Sequence, residues 1–177
     1  ENGTLSVSGT FADPGVMDAH TVRVRWGDGS ADTTLTLAPG VFEFSAQHVY
    51  RDDVPGATAV DEYLLEIVVT DETDTGPAWT APIVVNNVAP IFDAFDLSAG
   101  AVNEGELLRV TGMVRDPGTL DAVTLTIAWG DGSGLEFRTL AADRRFAIEH
   151  RYATAGRFIL AVVATDVIRS EVQDLKK

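Results

Sequence analysis

Apolar residues recur at every second position along most of this chain. Leu5, Val7, Gly9 and Phe11 alternate with Ser6, Ser8 and Thr10, and Val22, Val24 and Trp26 alternate with Thr21, Arg23 and Arg25. Successive side chains of an extended strand point to opposite faces, so a period of two marks a strand with one face buried. The same period runs through Phe42, Phe44, Ala46, His48 and Tyr50, through Tyr63, Leu65, Ile67 and Val69, and through Ile83 and Val85. A second series follows: Val110 and Val114; Leu125, Ile127 and Trp129; Phe146, Ile148 and Tyr152; Phe158, Leu160 and Val162. The stretch Ala141–His150 has the propensity of a helix. Its counterpart Pro39–His48 contains Pro-Gly and alternates strictly, which predicts strand in both and no helix in the chain.

The two series are copies of one another. The segment WGDGS stands at Trp26–Ser30 and again at Trp129–Ser133, an offset of 103 residues. At that offset Asp13-Pro14-Gly15 falls on Asp116-Pro117-Gly118, Asp18-Ala19 on Asp121-Ala122, and Thr21 on Thr124. Thirteen of the twenty-four positions from Val7 to Ser30 are identical. Further on, His48-x-Tyr50 matches His150-x-Tyr152 and Thr70-Asp71 matches Thr165-Asp166. A period of about 100 residues is too long for a solenoid unit and reads as a duplicated domain.

Each copy offers six or seven short strands separated by Asp-Pro-Gly and Asp-Gly turns. That pattern predicts an all-β chain of two tandem Ig-like Greek-key β-sandwiches. The boundary falls in Asn86-Asn87-Val88-Ala89-Pro90, where Pro90 prevents a preceding strand from continuing in a ladder. The expected domains are residues 1–88 and 89–177, joined end to end by a short linker. Copy two ends in Ser170–Lys177, several residues short of the last strand of copy one.

Charge narrows the partners. Among 177 residues, 27 are acidic and 13 basic, a net charge of −14. Nucleic acid and anionic membrane surfaces call for clustered cations, so neither is expected as a partner. No apolar run is long enough to cross a membrane. The absence of cysteine removes disulfide scaffolds, thiolate zinc sites and cysteine nucleophiles together. The chain opens Glu1-Asn2-Gly3-Thr4 without an initiator Met or a signal peptide, and reads as an excerpt of a longer protein.

The order of strand, WGDGS, strand, HxY, aromatic strand and Thr-Asp resembles the PKD (polycystic kidney disease) domain family, and both copies share it. The form with Asn-Glu-Gly, Asp-Pro-Gly and WGDGS is similar to repeats of large bacterial surface and secreted proteins. The family's usual Trp-x-Phe-Gly-Asp-Gly core is shortened here to Trp-Gly-Asp-Gly. The resemblance implies an extracellular or cell-surface location and a non-catalytic role as a structural or adhesion segment, spacer or protein-interaction module. The expected partners are then other domains of the same large protein, with a protein or polysaccharide ligand as a further expectation. An accessory protein- or polysaccharide-binding module of a secreted hydrolase is the alternative, with Trp79 as its loose aromatic candidate. No cofactor is required.

Two constellations carry chemistry that the fold must accept or reject. Ser30, His48 and Asp28 form a nominal triad, repeated in copy two, but no nucleophile elbow accompanies them and the serine sits in a turn. Catalysis is not expected, and His48 and His150 share the parity of core residues. The acidic residues make the second group. Glu1, Asp13, Asp18 and Asp71 in copy one, and Glu104, Asp116, Asp121 and Asp166 in copy two, are expected to gather at one end of each sandwich. Converging carboxylates repel unless a hard cation bridges them, and Ca²⁺ takes six to eight oxygens. Some PKD domains bind calcium near this end, which adds to that reading. The other reading makes Asp13 and Asp116 turn initiators and leaves the rest solvated. In copy two the set is expected to sit at the domain junction.

Overall fold

The computed structural model describes residues 1–51 and 58–166. The chain divides into two compact units, Glu1–Asn87 and Val88–Lys177. Unit 1 holds β1 (Thr4–Thr10), β2 (His20–Arg25), β3 (Thr33–Leu37), β4 (Glu43–Val49), β5 (Val60–Thr70) and β6 (Trp79–Asn86). Unit 2 holds β7 (Ile91–Leu97), β8 (Leu107–Arg115), β9 (Val123–Ala128), β10 (Glu136–Thr139), β11 (Arg145–Arg151) and β12 (Ala161–Asp166). The described residues contain no helix, and hence none able to cross a membrane. The stretch that could pass for helix, Ala141–His150, becomes β11 after a turn.

Unit 1 is two antiparallel sheets face to face. One is β1-β4; the other runs β3-β2-β5-β6. The chain crosses between them from β1 to β2, from β3 to β4 and from β4 to β5, the Greek-key crossing of an Ig-like sandwich. Unit 2 repeats the plan, with β8-β11 answering β1-β4 and β10-β9-β12 answering β3-β2-β5. The registers agree to the residue: Gly9 lies opposite Phe44 in unit 1, and Gly112 opposite Phe146 in unit 2.

The alternation seen in the sequence is what fills the space between the sheets. Val22 and Val24 of β2, and Trp26 just after it, are at most 1% exposed, with Leu65 beside them. Leu5, Val7, Phe44, Ile67 and Val69 pack on that cluster. In unit 2, Val123, Leu125, Ile127 and Trp129 do the same against Val110, Val114, Phe146 and Ile148. Arg23 and Arg25 take the outer face of β2, where Arg25 meets Glu66 at 3.2 Å.

Three details differ from the sequence reading. Ile91–Leu97 forms a strand, β7, paired with β8, with its register shifting between Phe92 and Ala94. Phe158 and Leu160 stand outside any strand, and β12 begins only at Ala161. In unit 1 the equivalent first half of β5 is held by β6 alone, and no described strand plays that part in unit 2. The expected end of copy two in Ser170–Lys177 lies outside the described residues.

Candidate functional site

The duplicated WGDGS turn gathers a connected set of polar contacts in each unit. It begins where β2 delivers Trp26 into the core. Gly27 and Gly29 then adopt φ of +88° and +81°, a left-handed backbone that a side chain disfavours. A Cβ on Gly27 would stand 2.6 Å from the Leu64 carbonyl oxygen, whereas one on Gly29 would meet nothing within 4 Å. The turn therefore lies directly on the backbone of β5.

Between the two glycines, Asp28 faces inward. Its Oδ1 accepts from the Ser30 amide at 3.0 Å and from the Ser30 hydroxyl at 2.5 Å. Its Oδ2 accepts from His48 Nε2 at 2.6 Å. The His48 ring stacks on Trp26, with centroids 4.7 Å apart, and meets Tyr50 edge-on at 4.8 Å. Tyr50 donates its hydroxyl to the Trp26 carbonyl at 2.9 Å, which closes the circuit. Burial pushes the Asp28 carboxyl up, but Ser30 and His48 outweigh it and hold Asp28 below the ordinary carboxylate range. Burial, with the Asp28 charge nearby, pushes the Tyr50 phenol up to about 12.

Unit 2 rebuilds this circuit. Asp131 accepts from Ser133 and from His150 Nε2, the latter at 2.7 Å. His150 stacks on Trp129 at 4.6 Å, and Tyr152 donates to the Trp129 carbonyl at 3.1 Å. The Ser133 hydroxyl, His150 and the Ser133 amide hold Asp131 well below the usual range. Trp26 and Trp129 are 1% and 2% exposed, and both histidines are mostly buried. In this order the carboxylate sits between serine and histidine. A serine nucleophile needs the imidazole in the middle, to take its proton. Here the hydroxyl donates to Asp28 or Asp131 and makes no bond to the imidazole.

The acidic residues divide differently from expectation. Asp13 follows β1, Asp18 precedes β2 and Asp71 follows β5, and their carboxylate oxygens lie within 4.8 Å of one another. Glu1 does not join them. Asn2 bonds through its amide to the Tyr50 carbonyl, and the Glu1 amino group donates to the Asn86 carbonyl at 2.7 Å. Both contacts lie at the start of β1, and seven residues rising about 3.3 Å each put Asp13 at the other end. Copy two separates in the same way. Asp116 and Asp121 approach within 4.8 Å, and Asp166 lies at their end, opposite Val123 in the ladder. Glu104 precedes β8, and its neighbour Gly105 bonds to the Tyr152 carbonyl at the far end. The expectation that the domain entrance shares an end with these loops is corrected for both glutamates. An entrance placed ahead of an antiparallel strand lies a full strand length from the loop behind it.

Much of the Asp13, Asp18 and Asp71 cluster is engaged locally. Asp13 accepts from the Gly15 amide at 3.2 Å and contacts His20 Nε2 at 2.8 Å. Asp71 accepts from the amides of Asp74 and Thr73, which hold it below the ordinary carboxylate range. The donor set suits a hard cation in kind. Three carboxylates supply only part of a Ca²⁺ shell, so water or backbone carbonyls would complete it.

Two residues of this end escaped the sequence reading. His20 is 3% exposed and begins β2. Arg144 of unit 2 reaches Asp116 at 3.8 Å and donates to the Asp121 carbonyl at 2.7 Å. Unit 1 thus meets Asp13 with an imidazole, and unit 2 meets Asp116 with a permanent cation. The duplicate hides this because His20 aligns with Val123, and Arg144 comes from a different loop.

No protein-family model matches the chain, and no curated protein does. Among solved structures, the FN1–FN3 domains of chicken CNTN1 are similar, with a TM-score of 0.32 and 11% identity. The match covers 90% of this chain and 57% of that one, so the chain spans little more than half the length of that structure.

Proposed function

We propose that this chain is a non-catalytic, extracellular segment of a larger surface or secreted protein, two PKD-like sandwiches that act as a spacer or adhesion module. One observation carries the reading. In both units the motif's Trp, Asp, Ser, His and Tyr are bonded to each other, so its polar groups are consumed in holding the fold. A site kept for chemistry would leave a nucleophile or an acid facing solvent, and a site kept for a ligand would leave donors turned outward. The partners of such a segment are neighbouring domains of the same protein, at the cell surface.

Exchange of the segment tests this. If residues 1–177 are replaced in the parent protein by a sandwich pair of unrelated sequence, a spacer role predicts that surface display and adhesion survive. Loss of adhesion with display intact would move the assignment to ligand binding. Hydrolysis of any ester, peptide or glycoside that disappears in Ser30→Ala or Ser133→Ala would overturn the non-catalytic reading.

One observation favours an accessory binding module as the second reading. Trp79 is 58% exposed at the start of β6 and lines a cleft of about 910 Å³. An exposed indole beside a cleft suits a sugar face or an extended peptide.

A further inference from the structure

The two sandwiches carry the same sheet face with different chemistry. In unit 1 the outer face of β2, β3 and β5 bears Arg23, Arg25, Asp32 and Glu66, and each arginine lies within 4.0 Å of both acids. The strand registers carry these positions into unit 2. Arg23 lies opposite Thr34 and Val68, and Thr126 lies opposite Phe137 and Val163. Arg25 lies opposite Glu66, and Ala128 opposite Ala161. Arg23 is thus replaced by Thr126, Arg25 by Ala128 and Glu66 by Ala161. At the offset of the duplication, Asp32 is replaced by Leu135 and Thr34 by Phe137. All four charges are gone, and two large apolar side chains have entered.

Those two are open to solvent. Leu135 is 59% exposed and Phe137 60%. They belong to the β10 side of the sheet, which is separated from β12 by β9, so their exposure is independent of the chain after Asp166. The neighbouring row is Thr139, Thr124 and Thr165. Its hydroxyls are bonded within the face: Thr165 donates to the Thr124 carbonyl at 3.3 Å, and the Thr124 and Thr139 hydroxyls lie 3.4 Å apart. Covering that row leaves those bonds in place, which keeps the cost of drying it small. The charges that β10 does carry alternate with Phe137 and belong to its other face. There Glu136 accepts from the Trp129 indole at 3.2 Å and pairs with Arg138.

Charge decides what such a face accepts. On a chain of net charge −14, two copies repel wherever their acids meet, and this face presents none. Loss of charged residues around an exposed aromatic is the composition of an interface centre. A strongly basic or acidic partner finds no counter-charge here. A second copy brings the same uncharged rows, and a two-fold axis matches one patch to itself.

We infer that the outer face of β9, β10 and β12 is a self-association surface, on which a second copy of the chain packs sheet against sheet through its own unit 2. Packed sheets lie about 10 Å apart, and Phe137 and Leu135 of the two copies fill that gap. A face three strands wide makes a small interface, so the pairing is reversible. The surface stands on strand register and charge alone, whether or not the chain serves in adhesion.

The test is sedimentation of the whole chain from ~10 μM to ~1 mM at physiological salt, a range that brackets weak association. The mass should rise from that of one chain towards that of two. Isotope-filtered spectra of mixed labelled and unlabelled chain should show contacts from the Phe137 ring of one copy to the Leu135 or Val163 methyl groups of the other. A variant with Thr126→Arg, Ala128→Arg, Leu135→Asp and Ala161→Glu installs the set that unit 1 carries at the same places and leaves the net charge unchanged. It should weaken association roughly tenfold or more, because those charges would have to be dried at the contact. Amide resonances of unit 2 report whether that variant is folded. If it is not, Phe137→Thr, again the unit 1 residue, carries the same expectation. A mass of one chain at every concentration would overturn the inference. So would association that a folded variant leaves unchanged, or intermolecular contacts confined to another face.

Discussion

Alanine at Gly27 and at Gly29 should have unequal costs, although the two glycines are one residue apart and share a left-handed backbone. Their φ angles are +88° and +81°. Placing an L side chain in that region costs roughly 1–2 kcal/mol, a cost both substitutions bear. Only Gly27 lies on another strand, with the Leu64 carbonyl oxygen and amide nitrogen 2.6 and 2.9 Å from an added Cβ. Forcing a methyl group into packed structure adds roughly 1–3 kcal/mol. Gly29→Ala should therefore lose about 1–2 kcal/mol, and Gly27→Ala about 2–5 kcal/mol. For a domain of this size, each kcal/mol moves the midpoint by roughly 4–8 °C. Unit 2 supplies an internal repeat of the experiment. A Cβ on Gly130 would collide with the Ile159 backbone, and one on Gly132 would meet nothing within 4 Å. The assay is thermal and urea unfolding followed by resolved amide resonances, so that each unit reports its own transition. Equal losses at Gly27 and Gly29 would refute the claim that the turn is pressed against β5. Neutrality at both would refute the left-handed assignment as well.

Further outcomes follow from the same contacts. Trp26→Ala and Trp129→Ala each remove a buried indole and should cost about 3–5 kcal/mol in the unit affected, read by the same resonances. Acid should weaken both units through Asp28 and Asp131. Their folded pKa values lie below the ordinary 3.8, so their contribution is complete above about pH 4 and is lost as pH falls through the depressed folded values. Asp28→Asn and Asp131→Asn should flatten the stability curve in that acid range, and an unchanged curve would show that the carboxylates are not held ionised. Calcium is a proposal for unit 1 alone. Melting in millimolar Ca²⁺ against chelator should raise its midpoint by several degrees if the ion binds well below that concentration, and Asp18→Ala should shrink the shift. Superimposable curves would leave Asp13 and Asp71 as turn formers.

Alternation and duplication made most of the sandwich legible. The buried Val22, Val24 and Trp26, the inward His48 and the strand at β11 all follow from a period of two. The short strands β3 and β10 did not announce themselves: β3 alternates, but only Leu35 and Leu37 stand out among its threonines, and β10 has four residues. β7 was hidden by its own irregularity: the register shift between Phe92 and Ala94 and the acidic residues on either side of Phe95 break the period. The acidic cluster was half legible. Which loops carry acids can be read from the chain, but which loops share an end depends on strand direction, and there Glu1 and Glu104 were misplaced. Arg144 could not be found from sequence, since Asp116 and Arg144 are far apart in the chain and meet only because β8 and β11 pair.

The two bonds that the WGDGS turn sends across the sandwich have a mechanical consequence. Asp28 follows β2, in one sheet, and accepts from His48 on β4, in the other, at 2.6 Å. Tyr50, just after β4, donates to the Trp26 carbonyl beside it at 2.9 Å. Slipping one sheet past the other must therefore break directional bonds as well as shear an apolar contact. Unit 2 carries the same pair through His150 and Tyr152, so each sandwich is pinned against shear at this corner.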